Sequence, residues 1–345
     1  MTKREFLGLL AAGSGAAALG PARAWADRIR ILGEGPAPDR TLGTPQASPE
    51  FRRLVAGVLL GTRRSYGSLH VFWLHGAPPP APLAIATLEE ARQRGDLAIA
   101  ERPQATVPSL VVENRGKLHA LLLAGEILLG GKQNRVVTED VLLPPASGPV
   151  DLAVYCVEQG RWAGASGGFS ARGTFAAPAL RARVMDKSGQ QRVWAEVDRY
   201  AARMAAPSPT RSYQAVDDKA EVRAHRQAVE QAVDTRAPAG ALGAAVFVAG
   251  ALTGLDLFAD PGLFVREWPK LLRAQALESY DRRALEDVDE AGLRARVAAL
   301  LERAAGIEGT VRRGAGVGRL FEFRLERGRG AALVAEGQVV HAAVL

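Results

Sequence analysis

The order of its local patterns most constrains what this chain can fold into. Short apolar runs bounded by Gly, Pro and Asn come first, helix-periodic segments follow, and short apolar runs return at the end. The early strand candidates are 69–74, 109–112, 119–124, 135–143 and 150–157. Helices are expected over 87–94, 193–204, 216–233, 261–280 and 288–305. A hairpin over 244–249 and 252–258 precedes the last two helices, and strands at 319–325, 332–335 and 339–344 close the chain. This order predicts an α+β fold: an antiparallel β-rich core with helices inserted between N- and C-terminal β regions. A repeating βαβ sheet would alternate the two patterns throughout.

Local signals support these boundaries. Thr87 and Glu90 have the spacing of a capping box, and Gly95 stops that helix. Val193, Val197, Tyr200 and Met204 share one helical face. Asp260-Pro261 supplies a cap and a proline at the first helical position. Three stretches share a texture of apolar strand, Gly, then a second apolar run: 121–130, 246–254 and 333–340. They read as hairpins and raise a duplicated β-unit, although any tight hairpin needs Gly after an apolar strand.

The first 26 residues read as an address. Lys3 and Arg4 precede a 14-residue apolar run from Phe6 to Leu19, and Ala24-Trp25-Ala26 is a small-x-small cleavage pattern. The start resembles a twin-arginine signal, with Lys3 in place of the first arginine and Gly8 in place of the final lysine. The expectation is export to the periplasm or cell exterior after cleavage near Ala26. Residues 27–50, rich in Pro and Gly, read as a linker or arm, and 51–345 as a single α+β domain. No apolar run reaches the roughly 20 residues of a membrane span, so none is expected after signal removal. The single cysteine, Cys156, lies in a β-like apolar run and reads as a buried, inert thiol.

Of the net charge of +7, the first 26 residues carry +2, which leaves a mild excess spread among Glu and Asp. Without a basic block interleaved with aromatics, nucleic acid is not an expected partner. The five histidines lack zinc-site spacing. No cofactor is expected, although hard-metal binding by Glu126, Glu158 and Asp256 stays open.

Two segments concentrate functional atoms. Glu126, Gln133, Asn134 and Arg135 surround the Gly130-Gly131 turn, and Glu158, Gln159, Arg161 and Trp162 follow an apolar strand. Amides supply paired donors and acceptors, and guanidinium forks suit carboxylates and phosphates. Arg with Trp suits a planar ligand. The competing reading is static: a Glu126–Arg135 ion pair with amides capping the turn, and Trp162 plugging the core beside a Glu158–Arg161 pair. Reversal through 144–149 brings Arg135 near Glu158, so these residues are expected to converge, with Asp256 approaching from the late hairpin.

These two motifs resemble those of the "ARG and Rhodanese-Phosphatase-superfamily-associated protein" family. Further matches are Leu88-Glu89-Glu90-Ala91, Val193-Trp194, Gly254 to Phe258, Trp268 to Leu272, and His341. The resemblance spans about 69–345. It implies an uncharacterised domain whose genes associate with ADP-ribosylglycohydrolases, hence a contextual link to NAD or ADP-ribose metabolism.

Two function classes follow. In the first, an exported protein binds or hydrolyses a nucleotide or ADP-ribose-like small molecule. Glu126 or Glu158 would be the general acid/base, Arg135 and Arg161 the anion clamps, Gln133 and Asn134 the orienting amides, and Trp162 and Asp256 further ligand contacts. In the second, a non-catalytic module of the cell envelope uses the same cluster structurally. Two weaker motifs remain. Gly164–Gly168 matches G-x-S-x-G without a following helix pattern, and 314–318 is a Gly-rich stretch that reads as a loop before a strand.

Overall fold

Strand pairing sorts the described residues into three sheets joined by helices. The computed structural model describes residues 44–102, 108–161, 168–284, 288–326 and 328–345. In chain order the elements are α1 (Pro49–Ala56), β1 (Leu59–Tyr66), β2 (Leu69–His75), β3 (Ile85–Ala86), α2 (Leu88–Gln93), β4 (Leu97–Ala100) and β5 (Ser109–Asn114). Then follow β6 (His119–Leu122), β7 (Ile127–Gly130), β8 (Arg135–Val137), β9 (Val141–Leu143), β10 (Gly148–Cys156) and β11 (Phe169–Ser170). The helical section holds α3 (Pro178–Met185), α4 (Gln190–Arg203), α5 (Tyr213–Asp218) and α6 (Ala220–Val233). The remainder is β12 (Ala241–Val248), β13 (Ala251–Phe258), α7 (Pro261–Ser279), α8 (Glu290–Ala305), β14 (Thr310–Arg313), β15 (Arg319–Arg324), β16 (Arg329–Ala335) and β17 (Gln338–Val344). The architecture is α+β, as the order of patterns implies.

The largest sheet has eight antiparallel strands in the order β1-β2-β12-β13-β17-β16-β15-β14. Its strands alternate between two buried faces. Leu69, Val71 and Trp73 of β2 point to the side covered by α6 and α7, whereas Phe72 and Leu74 point to α1 and α8. Trp73, Phe264 and Trp268 pack edge-on or tilted with ring centroids 4.9–6.3 Å apart. Each such buried aromatic contributes roughly 1.5–3 kcal/mol of transfer free energy. The six-stranded sheet runs β11-β7-β8-β10-β5-β4, and the third sheet runs β3-β6-β9. These two pack against each other through Leu110, Val112, Leu152 and Val154 on one side and Ala120, Leu122, Val141 and Leu143 on the other. Helices α3, α4 and α5 cover Ile127, Val136 and Val157 on the opposite face of the six-stranded sheet.

The capping box at Thr87 forms as its spacing predicts: Glu90 N donates to Thr87 Oγ1, and Thr87 N donates to Glu90 Oε2. Asp260 caps α7 by accepting from Gly262 N and Leu263 N. Val193, Val197, Tyr200 and Met204 are all buried. The stretches 246–254 and 333–340 lie in true hairpins, β12–β13 and β16–β17.

Four expectations change. The stretch 121–130 is not a hairpin, because β6 pairs with β3 and β9 whereas β7 pairs with β8 and β11. Glu126 turns inward there and accepts from Leu123 N, which diverts the chain between sheets. The run 135–143 is two strands. Thr138 Oγ1 donates to Ala153 O and Asp140 Oδ1 accepts from Ala124 N, so side chains take over where a ladder would continue. The helix expected over 216–233 starts earlier, as α5, and breaks at Lys219, whose extended backbone (ψ 131°) separates α5 from α6. Finally, α1 begins inside the stretch read as an arm, capped by Ser48 with Pro49 at its first position. Residues 1–43, and with them the signal expectation, lie outside the described residues.

Candidate functional site: two buried polar clusters

The QNR segment is shaped by its turn. Gly130 has φ 135°, and a Cβ there would sit 2.4 Å from Gly168 O, so only glycine lets β7 close against β11. The chain re-enters the sheet at Arg135, which faces Cys156 in the β8–β10 register. Arg135 therefore stands beside the end of β10, where Glu158 follows.

Glu158 is the hub of this first cluster. Its Oε2 accepts from Asn134 N (3.1 Å), Arg161 Nε (3.0 Å) and Arg161 Nη2 (2.7 Å), and its Oε1 accepts from Thr210 Oγ1 (2.8 Å). Burial pushes its carboxyl upward, but the donors and charge of Arg161, Thr210 and the Asn134 amide win and hold it below the usual range. Arg161 also donates to Gly131 O (2.7 Å) and to Asn134 Oδ1 (3.1 Å), while Asn134 Oδ1 accepts from Gly130 N (3.0 Å). Gln133, with no exposed surface, donates to Gln159 O and accepts from Arg135 Nη1 (3.3 Å). Arg135 pairs with Glu101 at 3.5 Å, a partner that the spacing did not suggest. Cys156 is buried, and burial pushes its thiol up.

Glu126 and Asp256 do not join this group; they belong to a second cluster where the sheets meet. Glu126 is 1% exposed, and its partner is Lys270, not Arg135. Lys270 Nζ also lies 2.6 Å from Glu267 and 3.0 Å from Glu89. Three carboxyls thus surround one ammonium. Burial, reinforced by the neighbouring carboxylates, pushes Glu126 well above the usual carboxylate range and raises Glu267 as well. Burial alone would lower Lys270; Glu126 foremost, then Glu267 and Glu89, hold it well above its ordinary value.

Beside it, His341 lies between two aspartates: Nδ1 is 2.6 Å from Asp140 Oδ2, and Nε2 is 3.1 Å from Asp256 Oδ1. Burial lowers the imidazole's proton affinity, but Asp140 and Asp256 overcome it and lift His341 to about 9. Asp256 also accepts from Arg181 Nη1 (2.7 Å), and Arg181 Nε donates to Ala124 O (2.8 Å). Burial raises Asp256, yet Arg181 and His341 bring it below the ordinary value. The turn 123–126 ties everything together through Glu126, Asp140 and Arg181.

Of the expected site residues, Gln133, Asn134, Arg135, Glu158 and Arg161 converge; Glu126 and Asp256 meet in the second cluster; Trp162 lies outside the described residues, as do 164–167 of the G-x-S-x-G match. The 314–318 stretch is a β14–β15 loop in which Gly314 N donates to Gly318 O. Sequence reasoning missed Lys270, Glu267, Asp140 and Arg181, and did not place His341 in a site. A signal existed: Glu267 and Lys270 fall on the same buried stripe of α7 as Phe264, Leu271 and Ala274. Among the described residues, no group of three or more His, Cys, Asp or Glu has metal-holding geometry.

Comparison with protein families matches residues 57–345 to the ARG and Rhodanese-Phosphatase-superfamily-associated Protein domain. The chain belongs to this family. The match takes in both clusters and all three sheets. Comparisons with curated proteins and with solved structures return no match.

Proposed function

We propose that this family member is an exported, non-catalytic binding or assembly module of the cell envelope, whose two polar clusters are structural. The observation that carries this reading is the saturation of Glu158, which accepts four hydrogen bonds from within the chain and is held ionised. A general acid must hold a proton, and a general base must reach a substrate proton. In this reading Glu158 and Asn134 fix Arg161, which in turn braces the Gly130–Gly131 turn through Gly131 O. Export rests on the twin-arginine-like start and the Ala24-Trp25-Ala26 pattern.

One observation favours a second reading, a hydrolase acting on a nucleotide or ADP-ribose-like compound. Glu126 retains high proton affinity beside Lys270, which is the property of a general acid. Against it, Glu126 is enclosed on all sides. The test is hydrolysis of ADP-ribose derivatives by wild type and Glu126→Gln. We expect neither to exceed a blank; turnover by wild type that is lost in Glu126→Gln would replace the first reading with the second. Cell fractionation with N-terminal sequencing tests export, and a cytoplasmic protein that keeps residues 1–26 would remove that part.

A further inference from the structure

Between α3, α7 and β13 lies a cavity of about 10 Å³, lined by Phe175, Arg181, Asp256, Ala274, Gln275 and the terminal Leu345, among others. Arg181 is 2% exposed and has three guanidinium nitrogens to satisfy. Nε donates to Ala124 O and Nη1 to Asp256 Oδ1, and the guanidinium stands 5.0 Å from the Phe175 ring centroid, but Nη2 is buried without a hydrogen-bond partner. An unmet charged donor is costly to bury, and native structures nearly always satisfy one.

We propose that this cavity is a binding site for one internal water, held by Arg181 Nη2 with Asp256 and Gln275. The size fits, since roughly 10–15 Å³ of cavity accommodates one water, and such a water needs two to four polar partners. Arg181 donates. The Asp256 carboxylate and the Gln275 amide supply acceptors, with Gln275 Oε1 already accepting from Thr253 Oγ1 at 2.7 Å. Gly254 leaves room for the Gln275 amide, since a Cβ there would lie 2.5 Å from its Nε2. Other occupants fit worse. An anion would meet Asp256, a cation would meet Arg181, and an apolar group would leave Nη2 unmet. The water completes the chain Asp140–His341–Asp256–Arg181 by satisfying its last donor, and it is independent of the function proposed above.

A crystal structure of the full chain at about 1.5 Å tests the site. The expected result is an ordered water at hydrogen-bond distance, ~2.7–3.2 Å, from Arg181 Nη2 and from Asp256 or Gln275. A cavity with no such peak overturns the proposal.

Discussion

Lys270 carries a disproportionate share of the buried electrostatics, because it is the cation shared by Glu126, Glu267 and Glu89. Removing it leaves three carboxyls without a counter-charge. Lys270→Met is expected to cost ~3–5 kcal/mol in urea unfolding, the range for breaking a buried pair. Glu126→Gln should cost less than Lys270→Met, because Lys270 keeps Glu267 and Glu89 as partners and the amide oxygen still accepts from Leu123 N. Equal losses from the two variants would mean that Glu267 and Glu89 do not hold Lys270 once Glu126 is neutral. His341 gives a second prediction. Its folded value of about 9 lies above its ordinary 6.5. A raised value means that its contribution is complete below pH 6.5 and is lost as pH rises through about 9. The wild-type unfolding free energy should therefore decline over that window, by roughly 3 kcal/mol from this group, and His341→Gln should flatten the decline. Urea melts at pH 6 and pH 9.5 on both proteins decide it; parallel slopes would reject the assignment. At this scale the sequence revealed which residue types matter but not who pairs with whom. Glu126 finds Lys270, 144 positions away, and the partner comes from an α7 stripe whose period marks burial and says nothing about which sheet it meets.

Elements were more legible where short-range chemistry sets them. The Thr87 capping box, the Asp260 cap and two of the three Gly-punctuated hairpins follow from contacts within a few residues. Elements were illegible where a distant side chain overrides the local pattern. The strand pattern of 135–143 is continuous in the sequence, but Asp140 is drawn to His341 of β17, and the strand ends at Val137. The edge strands β1 and β14 lack the apolar alternation of inner strands, because much of each is only partly covered. A close approach inside the sheet provides the test at this scale. At Gly243 a Cβ would lie 2.0 Å from Asp256 O across the β12–β13 ladder. Gly243→Ala must push β13 away and carry Asp256 with it, off His341 and Arg181. The expected loss exceeds the ~1–3 kcal/mol typical of overpacking, and the pH 6.5–9 decline should shrink as the His341–Asp256 contact opens. A loss below about 1 kcal/mol with the decline intact would show that the two strands yield without disturbing the cluster.

At the scale of the molecule, the second cluster is the joint between sheets. Asp256 and His341 come from the eight-stranded sheet, whereas Glu126 stands at the entry to β7 of the six-stranded sheet, and Asp140 lies in the connection from β8 to β9. Lys270 and Arg181 arrive from α7 and α3. Unfolding one sheet alone would leave charges of the other still buried but stripped of their partners, and a buried charge without its partner costs several kcal/mol. The two sheets should therefore unfold together, even though a chain of this length is large enough for separate steps. The chain carries its own reporters. Trp73 and Trp268 sit in the core of the large sheet, and Cys156, the sole cysteine, is fully buried in β10 of the six-stranded one. With Trp25, Trp162 and Trp194 replaced by Phe so that emission reports Trp73 and Trp268 alone, tryptophan emission and thiol labelling followed across a urea titration should give coincident midpoints. With Lys270→Met the joint is weakened, and the two curves should separate, with either sheet then free to unfold first. Separate midpoints with Lys270 intact would show that the sheets are held apart energetically and that the buried charges serve each one locally.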